Sequence, residues 1–99
     1  MTFEDLKKEV LHWGKEKGIL KPENQLKQMG KMVSEVGELC DAIIKENADD
    51  QCDAIGDTLV TIIILSQKLG YDPVKCLVEA YNETKNRTGK TINGTFIKD

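Results

Sequence analysis

The sequence has few aromatic residues, few cysteines and almost no histidine, and each shortage excludes a class of protein. One Trp, two Tyr and two Phe among 99 residues mean that any core must be built mostly from aliphatic side chains. Three Cys without a Cys-x-x-Cys pair argue against a disulfide framework or a zinc site, and favour reduced thiols. The single histidine, His12, excludes a di-iron bundle built on Glu-x-x-His motifs.

Basic charge and long apolar runs are also missing. The formal net charge of -3 argues against a nucleic acid or an anionic membrane as partner, since both require a basic surface. No apolar run approaches the roughly 18 residues of a membrane span, and no segment has the form of a signal peptide. An EF-hand loop starting at Asn47 would place Cys52 and Thr58 where Gly and Glu are required. We therefore expect a single cytoplasmic domain, residues 1–99, without a nucleic-acid or membrane partner.

Four amphipathic helices and a short tail account for the chain. Apolar residues recur at helical spacing over four stretches: 3–17, about 23–46, about 49–69 and 73 to about 86. Thr2 resembles the start of a capping box, and Asp72 followed by Pro73 is typical of a helix N-terminus. Asn93-Gly94 separates two β-prone pieces and predicts a short hairpin-like tail. The predicted fold class is therefore all-α, a four-helix bundle.

The third helix is apolar on nearly all sides after Asp57, and it includes the β-branched run 60–64. We expect a helix there because the pattern extends over about 20 residues, which is too long for one strand. Three other short helices cannot cover such a helix in so small a chain. The bundle is therefore expected to be completed by oligomerisation, as a homodimer or homotetramer.

Two pairs of carboxylates border the apolar stripes of the second and third helices. Glu35 and Glu38 lie beside the apolar arc of the second helix, and Asp53 and Asp57 share a stripe with core positions of the third. In an antiparallel helix pair, these four side chains would converge near the connecting turn. Four ionised carboxylates then need a cation, and Mg²⁺ both takes oxygen ligands and bridges carboxylates to phosphates. Each pair taken alone is more typical of a solvated helix face, so both interpretations stay open on pattern alone.

The segment "QMGKMVSEVGELCDAI" followed by "DAIGDTLVTIIIL" resembles the MazG-like all-α nucleoside triphosphate pyrophosphohydrolases. Their pattern is Glu-Glu-x-x-Glu on one helix and Glu-x-x-Asp on the next, and "YNETKNRTGKTINGTFIKD" is similar to the ending of compact phage and bacterial members. By position, Glu35 and Glu38 correspond to the last two glutamates of the first motif, and Asp57 to the aspartate of the second.

The chain departs from the family pattern at two positions. Ser34 stands where the first glutamate often is, and Ala54 stands where the glutamate of the second motif is expected. Asp53, one residue before Ala54, faces nearly the same way and is the candidate replacement. The number of bound metal ions is therefore left open.

The resemblance implies Mg²⁺-dependent hydrolysis between the α- and β-phosphates of a nucleotide, with Mn²⁺ as a substitute, giving a nucleoside monophosphate and pyrophosphate. The implied metal ligands are Glu35, Glu38, Asp53 and Asp57. Glu35 or Glu38 would act as the general base. The candidate substrate-binding residues are Lys31, Asn82, Lys85, Arg87 and Trp13. Lys31, Asn82, Lys85 and Arg87 are equally open to the plainer interpretation of solvated surface residues, and core packing is the more common role for an aromatic residue at the spacing of Trp13.

Two other functions remain open from the sequence. Ser34 and Ala54 favour a catalytically weak or inactive relative whose helices serve as an interaction module. A relative with a dedicated substrate, such as phosphoribosyl-ATP, has the same overall pattern. An assay of pyrophosphate release would distinguish the three.

Overall fold

A computed structural model of the chain describes residues 1–99 as four helices followed by a two-stranded antiparallel hairpin. The helices are α1 (Phe3–Glu16), α2 (Gln25–Ile44), α3 (Ala48–Leu69) and α4 (Pro73–Thr84). The strands are β1 (Gly89–Ile92) and β2 (Thr95–Lys98), with Ile92 paired to Thr95 across the turn. The predicted helical class and the predicted tail hairpin are confirmed, and the β-branched run 60–64 is helical.

Local side-chain chemistry explains where these elements begin and turn. Thr2 and Asp5 form a reciprocal capping box at α1, and the Asp72 carboxylate accepts a hydrogen bond from the Val74 backbone N–H at 2.9 Å. Asn93 and Gly94 have φ angles of 50° and 79°. Two consecutive positive φ angles are what a two-residue hairpin turn of type I′ requires.

The helix boundaries differ from the prediction by one or two residues, most clearly at α2. Asn24 has a φ of 64°, so the helix cannot extend back to residue 23 and starts at Gln25. At the other end, α2 stops at Ile44 rather than at residue 46, and residues 45–47 connect it to α3. The Asn47 side chain accepts a hydrogen bond from the Asp50 N–H at 3.0 Å, and α3 therefore begins at Ala48.

The third helix lies at the centre of the fold and packs against each of the other three. Its buried apolar residues are Ala54, Ile63, Ile64 and Leu65. Gly14 lets α1 approach this helix closely, because a β-carbon there would lie 2.8 Å from both the Ile64 Cδ1 and the Leu20 Cδ2 atoms. The core is therefore a thin aliphatic layer around α3.

Two buried lysines tie distant segments together, and the sequence pattern did not predict either. The Lys7 ammonium lies 2.6 Å from Glu4 and 3.2 Å from Asp72. The Lys68 ammonium donates to the backbone carbonyls of Lys21 and Glu23 at 3.1 and 3.0 Å. Lys68 thus holds the segment before α2 against the end of α3.

The isolated chain is extended for its size. Its accessible surface is 7678 Å², whereas a compact monomer of this mass exposes about 5,700 Å². Its radius of gyration is 15.9 Å, against about 13 Å for a compact domain of this length. None of the helices combines the length and apolar content that crossing a bilayer requires. Much apolar surface is consequently uncovered in the single chain.

Candidate metal centre

Antiparallel pairing of α2 and α3 brings the two acidic pairs together. Side-chain hydrogen bonds define the register at both ends: Gln28 Nε2 donates to the Thr61 carbonyl at 3.2 Å, and Gln51 Nε2 donates to the Ala42 carbonyl at 3.3 Å. Glu35 on α2 lies between these two bonds, as does Asp57 on α3. Acidic residues from the two helices therefore lie beside one another, but as pairs rather than as the single cluster of four that the sequence predicted.

Glu35 is the most unusual side chain of the group, because it is an acid in a buried position. Only 5% of the residue is exposed. Its Oε1 atom lies 3.2 Å from the Lys31 ammonium, whereas its Oε2 atom is buried without any hydrogen-bond partner. A buried carboxylate oxygen without a partner carries a desolvation cost that a bound cation or donor would offset. This oxygen is therefore the best-defined place for a ligand.

The neighbouring carboxyl groups repel one another, and this repulsion contributes to raised pKa values of Glu38 and Asp57. A hydrogen bond with Glu35 raises the pKa of Glu38, because two carboxyl groups share a hydrogen bond only when one of them holds a proton. The negative charge of Glu35 raises the pKa of Glu38 further. Partial burial raises the pKa of Asp57, and the negative charges of Asp53 and Glu35 raise it further. The charges of neighbouring carboxylates thus raise the pKa of Glu38 and Asp57, and the nearby cation Lys31 offsets only part of this effect.

Two cavities flank the acidic residues. The first is about 320 Å³ and is lined by Glu35 and Asp57 together with Trp13, Lys31 and an apolar wall. The second is about 230 Å³ and contains a further set of charged side chains: Glu38, Asp41, Lys45, Asp50 and Asp53. The contact between Glu35 and Glu38 links the two groups of residues.

The structure gathers some of the predicted site residues and separates others. Trp13 and Lys31 line the same cavity as Glu35 and Asp57, as the proposed substrate roles require. Three predicted substrate-binding residues are exposed on or just after α4 and line neither cavity: Asn82, Lys85 and Arg87. Lys85 instead lies 5.9 Å from the centre of the Tyr81 ring. The structure therefore does not bring these three residues into either cavity beside the acids.

Sequence reasoning missed other residues around the acids. Ile19 and Thr61 help to line the first cavity, and Asp41 and Asp50 the second. Asp41 follows Glu38 at a spacing of three, which was a usable signal for a shared helix face. Ile19 gave no such signal, because it lies in the connection between α1 and α2, where the helical periodicity is interrupted.

The donor chemistry of the group suits Mg²⁺, since every candidate ligand is a carboxylate oxygen and one buried oxygen has no partner. The side chains are nevertheless arranged as pairs: no group of three or more His, Cys, Asp or Glu side chains is positioned to hold one ion. Ligation by three residues would require side-chain rotation. Glu38 and Asp53 are exposed, so they have the freedom to rotate.

Comparison with known proteins gives one similar sequence of unassigned activity. Over 72 residues the chain is 31% identical to an uncharacterized 18.2 kDa protein in the rep-hol intergenic region of Haemophilus phage HP1 (strain HP1c1). The match covers 73% of this chain and 44% of that protein, so this chain spans less than half of its relative. No protein-family model matches the chain. No solved structure matches it either.

The raised pKa values predict how the stability of the metal-free protein depends on pH. A carboxyl group with a raised pKa binds more protons in the folded than in the unfolded state, so the free energy of unfolding decreases as pH rises. For Glu38 this decrease begins near its ordinary value of 4.5, and for Asp57 near 3.8. Urea unfolding in EDTA from pH 4 to 8 should show a smaller decrease for Glu38→Gln than for the wild type. Parallel pH profiles would contradict the coupling between Glu35 and Glu38.

Proposed function

We propose that this chain is a magnesium-dependent, MazG-like nucleoside triphosphate pyrophosphohydrolase that acts as a cytoplasmic homo-oligomer and removes unwanted or non-canonical nucleotides. The reaction hydrolyses the bond between the α- and β-phosphates and releases a nucleoside monophosphate and pyrophosphate. One observation carries the proposal: buried Glu35, with its unpaired Oε2 atom, shares a cavity with Asp57, a lysine and an indole.

The metal is assigned to the carboxylates Glu35, Glu38 and Asp57, with Asp53 as a further ligand. Bound Mg²⁺ would neutralise part of the triphosphate charge. Glu35 or Glu38 accepts a proton from the attacking water, and a raised pKa brings Glu38 closer to the range useful for a general base at neutral pH. The water oxygen bonds to phosphorus as the anhydride bond breaks, and its proton passes to the carboxylate.

The first cavity supports a nucleotide as substrate. A volume of about 320 Å³ is within the range of small-molecule sites. Trp13 lines the cavity with 46% of its surface exposed, which leaves the indole available for stacking on a base. Lys31 is exposed although it pairs with Glu35, so its ammonium can also bind a phosphate oxygen. The site thus has an acidic part, a cationic group and an aromatic surface.

Self-association is part of the proposal. The single chain exposes about 2,000 Å² more than a compact monomer would. In addition, Asn82, Lys85 and Arg87 line neither cavity beside the acids of their own chain. Any contact that these residues make with substrate would therefore be at the site of a second copy. A dimer or tetramer would cover part of the excess surface of the single chain.

A second candidate is the inactive interaction module, which one observation favours. No three ligands are assembled around one point, and Ala54 occupies the position of an expected glutamate. Purified protein should therefore be incubated with a panel of ribo- and deoxynucleoside triphosphates and phosphoribosyl-ATP, with Mg²⁺ or Mn²⁺. We expect metal-dependent formation of pyrophosphate and the matching monophosphate. Absence of pyrophosphate from every substrate would favour the module, and reaction with phosphoribosyl-ATP alone would assign the dedicated enzyme.

A further inference from the structure

The second helix carries an apolar stripe that its own chain does not cover. Its members recur at alternating spacings of three and four residues: Leu26, Met29, Val33, Val36, Cys40 and Ile43. All six are exposed, with 57% of Val33, 47% of Val36 and 58% of Ile43 accessible. Alternating spacings of three and four are the pattern by which one helix packs along another.

This stripe is distinct from the face of α2 that packs on α3. The packing face consists of Met32, Glu35, Leu39 and Ala42, which also recur at alternating spacings of three and four. Glu35 and Ala42 are buried, and Met32 and Leu39 are partly buried. At 100° per residue, Lys31, Glu35 and Glu38 lie on the opposite side of α2 from the centre of the stripe. A surface formed by the stripe is therefore separate from the acidic site.

Two glycines beside the stripe have no explanation within the chain. Gly30 and Gly37 lie seven residues apart in the interior of α2, where glycine is less favourable than alanine. A β-carbon added at either position would meet no atom within 4 Å. The absence of a side chain at these two positions matters only if another helix approaches the α2 backbone from outside the chain.

The amount of uncovered surface fits a second copy of this chain. The chain exposes roughly 2,000 Å² beyond a compact monomer, whereas a stable interface of standard size buries about 800 Å² on each partner. One such interface is therefore well within the excess. A two-fold pairing uses the same stripe on both copies, so it needs no additional partner surface.

We propose that the exposed α2 stripe is the self-association surface, with α2 of one copy packed lengthwise against α2 of a second copy. Gly30 and Gly37 let the two backbones approach closely. This inference rests on the self-association part of the proposed function and specifies where it occurs. It does not depend on nucleotide hydrolysis.

Gly37→Gln tests the close approach, with Gly56→Gln as the matched control, the same change in the interior of α3, where a β-carbon also meets no atom within 4 Å. Gln is a better helix former than Gly, and nothing within the chain opposes it at position 37, so the variant monomer keeps its helix. Sedimentation velocity over a concentration series, without metal or nucleotide, should show wild type and Gly56→Gln associating. Gly37→Gln should raise the dissociation constant at least about thirtyfold. A monomeric wild type, or unchanged association of Gly37→Gln, would overturn the proposal.

A labelling experiment on the wild type provides a test without mutation. Cys40 lies in the stripe and Cys76 on α4, and both are exposed in the single chain. Alkylation of Cys40 by iodoacetamide should slow as protein concentration rises, with Cys76 as the reference thiol. A Cys40 rate independent of concentration would contradict the assignment. Loss of pyrophosphate release with association intact would count against the catalytic proposal only.

Discussion

Asp57→Asn is expected to lower the rate of pyrophosphate release by at least about a hundredfold, the scale on which losing electrostatic stabilisation of a transition state acts. Asp57 lines the cavity that also contains Glu35 and Lys31, and its partly buried carboxyl group already has a raised pKa. Asparagine has almost the same shape but no negative charge, so it would weaken metal binding without opening a cavity. Steady-state release of pyrophosphate at saturating Mg²⁺ measures the effect.

The matched control is Asp49→Asn, in the first turn of the same helix. Asp49 is exposed and lines neither cavity beside the acids, so the same chemical change should alter the rate by less than about twofold. Thermal melting of both variants distinguishes a lost ligand from a lost fold. Wild-type activity in Asp57→Asn would defeat the assignment of the site.

Asp53→Asn tests whether Asp53 is a further metal ligand. Asp53 raises the pKa of Asp57 through its charge, yet it lines the second cavity with Glu38 rather than the first. If Asp53 replaces the carboxylate missing at Ala54, Asp53→Asn should lower the rate of pyrophosphate release as much as Asp57→Asn does. An unchanged rate in Asp53→Asn alone would reduce the site to Glu35, Glu38 and Asp57.

Local sequence signals predicted the elements of the fold well. Capping at Thr2 and Asp72 and the Asn93-Gly94 turn depend on neighbours within a few residues, so the information is contained in the local sequence. The convergence of Glu35 with Asp57 also followed from helical spacing, once α2 and α3 were taken as an antiparallel pair. These predictions succeeded because each rests on one helix, one short connection, or two helices joined by a short connection.

Properties that depend on packing between distant segments were not accessible in the same way. A spacing rule places Glu35 beside an apolar stripe, but only the packed helices show that one of its oxygens is buried without a partner. The backbone carbonyls that receive Lys68 come from the segment before α2, which carries no pattern in the sequence. Likewise, the absence of Asn82, Lys85 and Arg87 from both cavities reflects how α4 packs. Such features depend on how distant segments of the chain pack in three dimensions.

Magnesium is expected to raise the melting temperature of the wild-type protein by about 10 °C or more. The carboxylates come from two helices, so the assembled site exists only in the folded state, and saturation to about 100 times the dissociation constant contributes about 2.7 kcal/mol. For a domain of this size each kcal/mol corresponds to about 4–8 °C. Circular dichroism melts at fixed protein concentration and ionic strength, with EDTA or increasing MgCl₂, measure the shift.

Glu38→Gln should raise the melting temperature of the metal-free protein and should reduce the further rise that Mg²⁺ produces. Without metal at neutral pH the variant should melt above the wild type, because the substitution removes the charge of residue 38, which repels the neighbouring charge of Glu35. With Mg²⁺ it should show little further rise, since a ligand is missing. Glu79→Gln, an exposed position on α4, should respond to Mg²⁺ like the wild type. If the wild type shows no shift at millimolar Mg²⁺, the carboxylates form only a polar helix face.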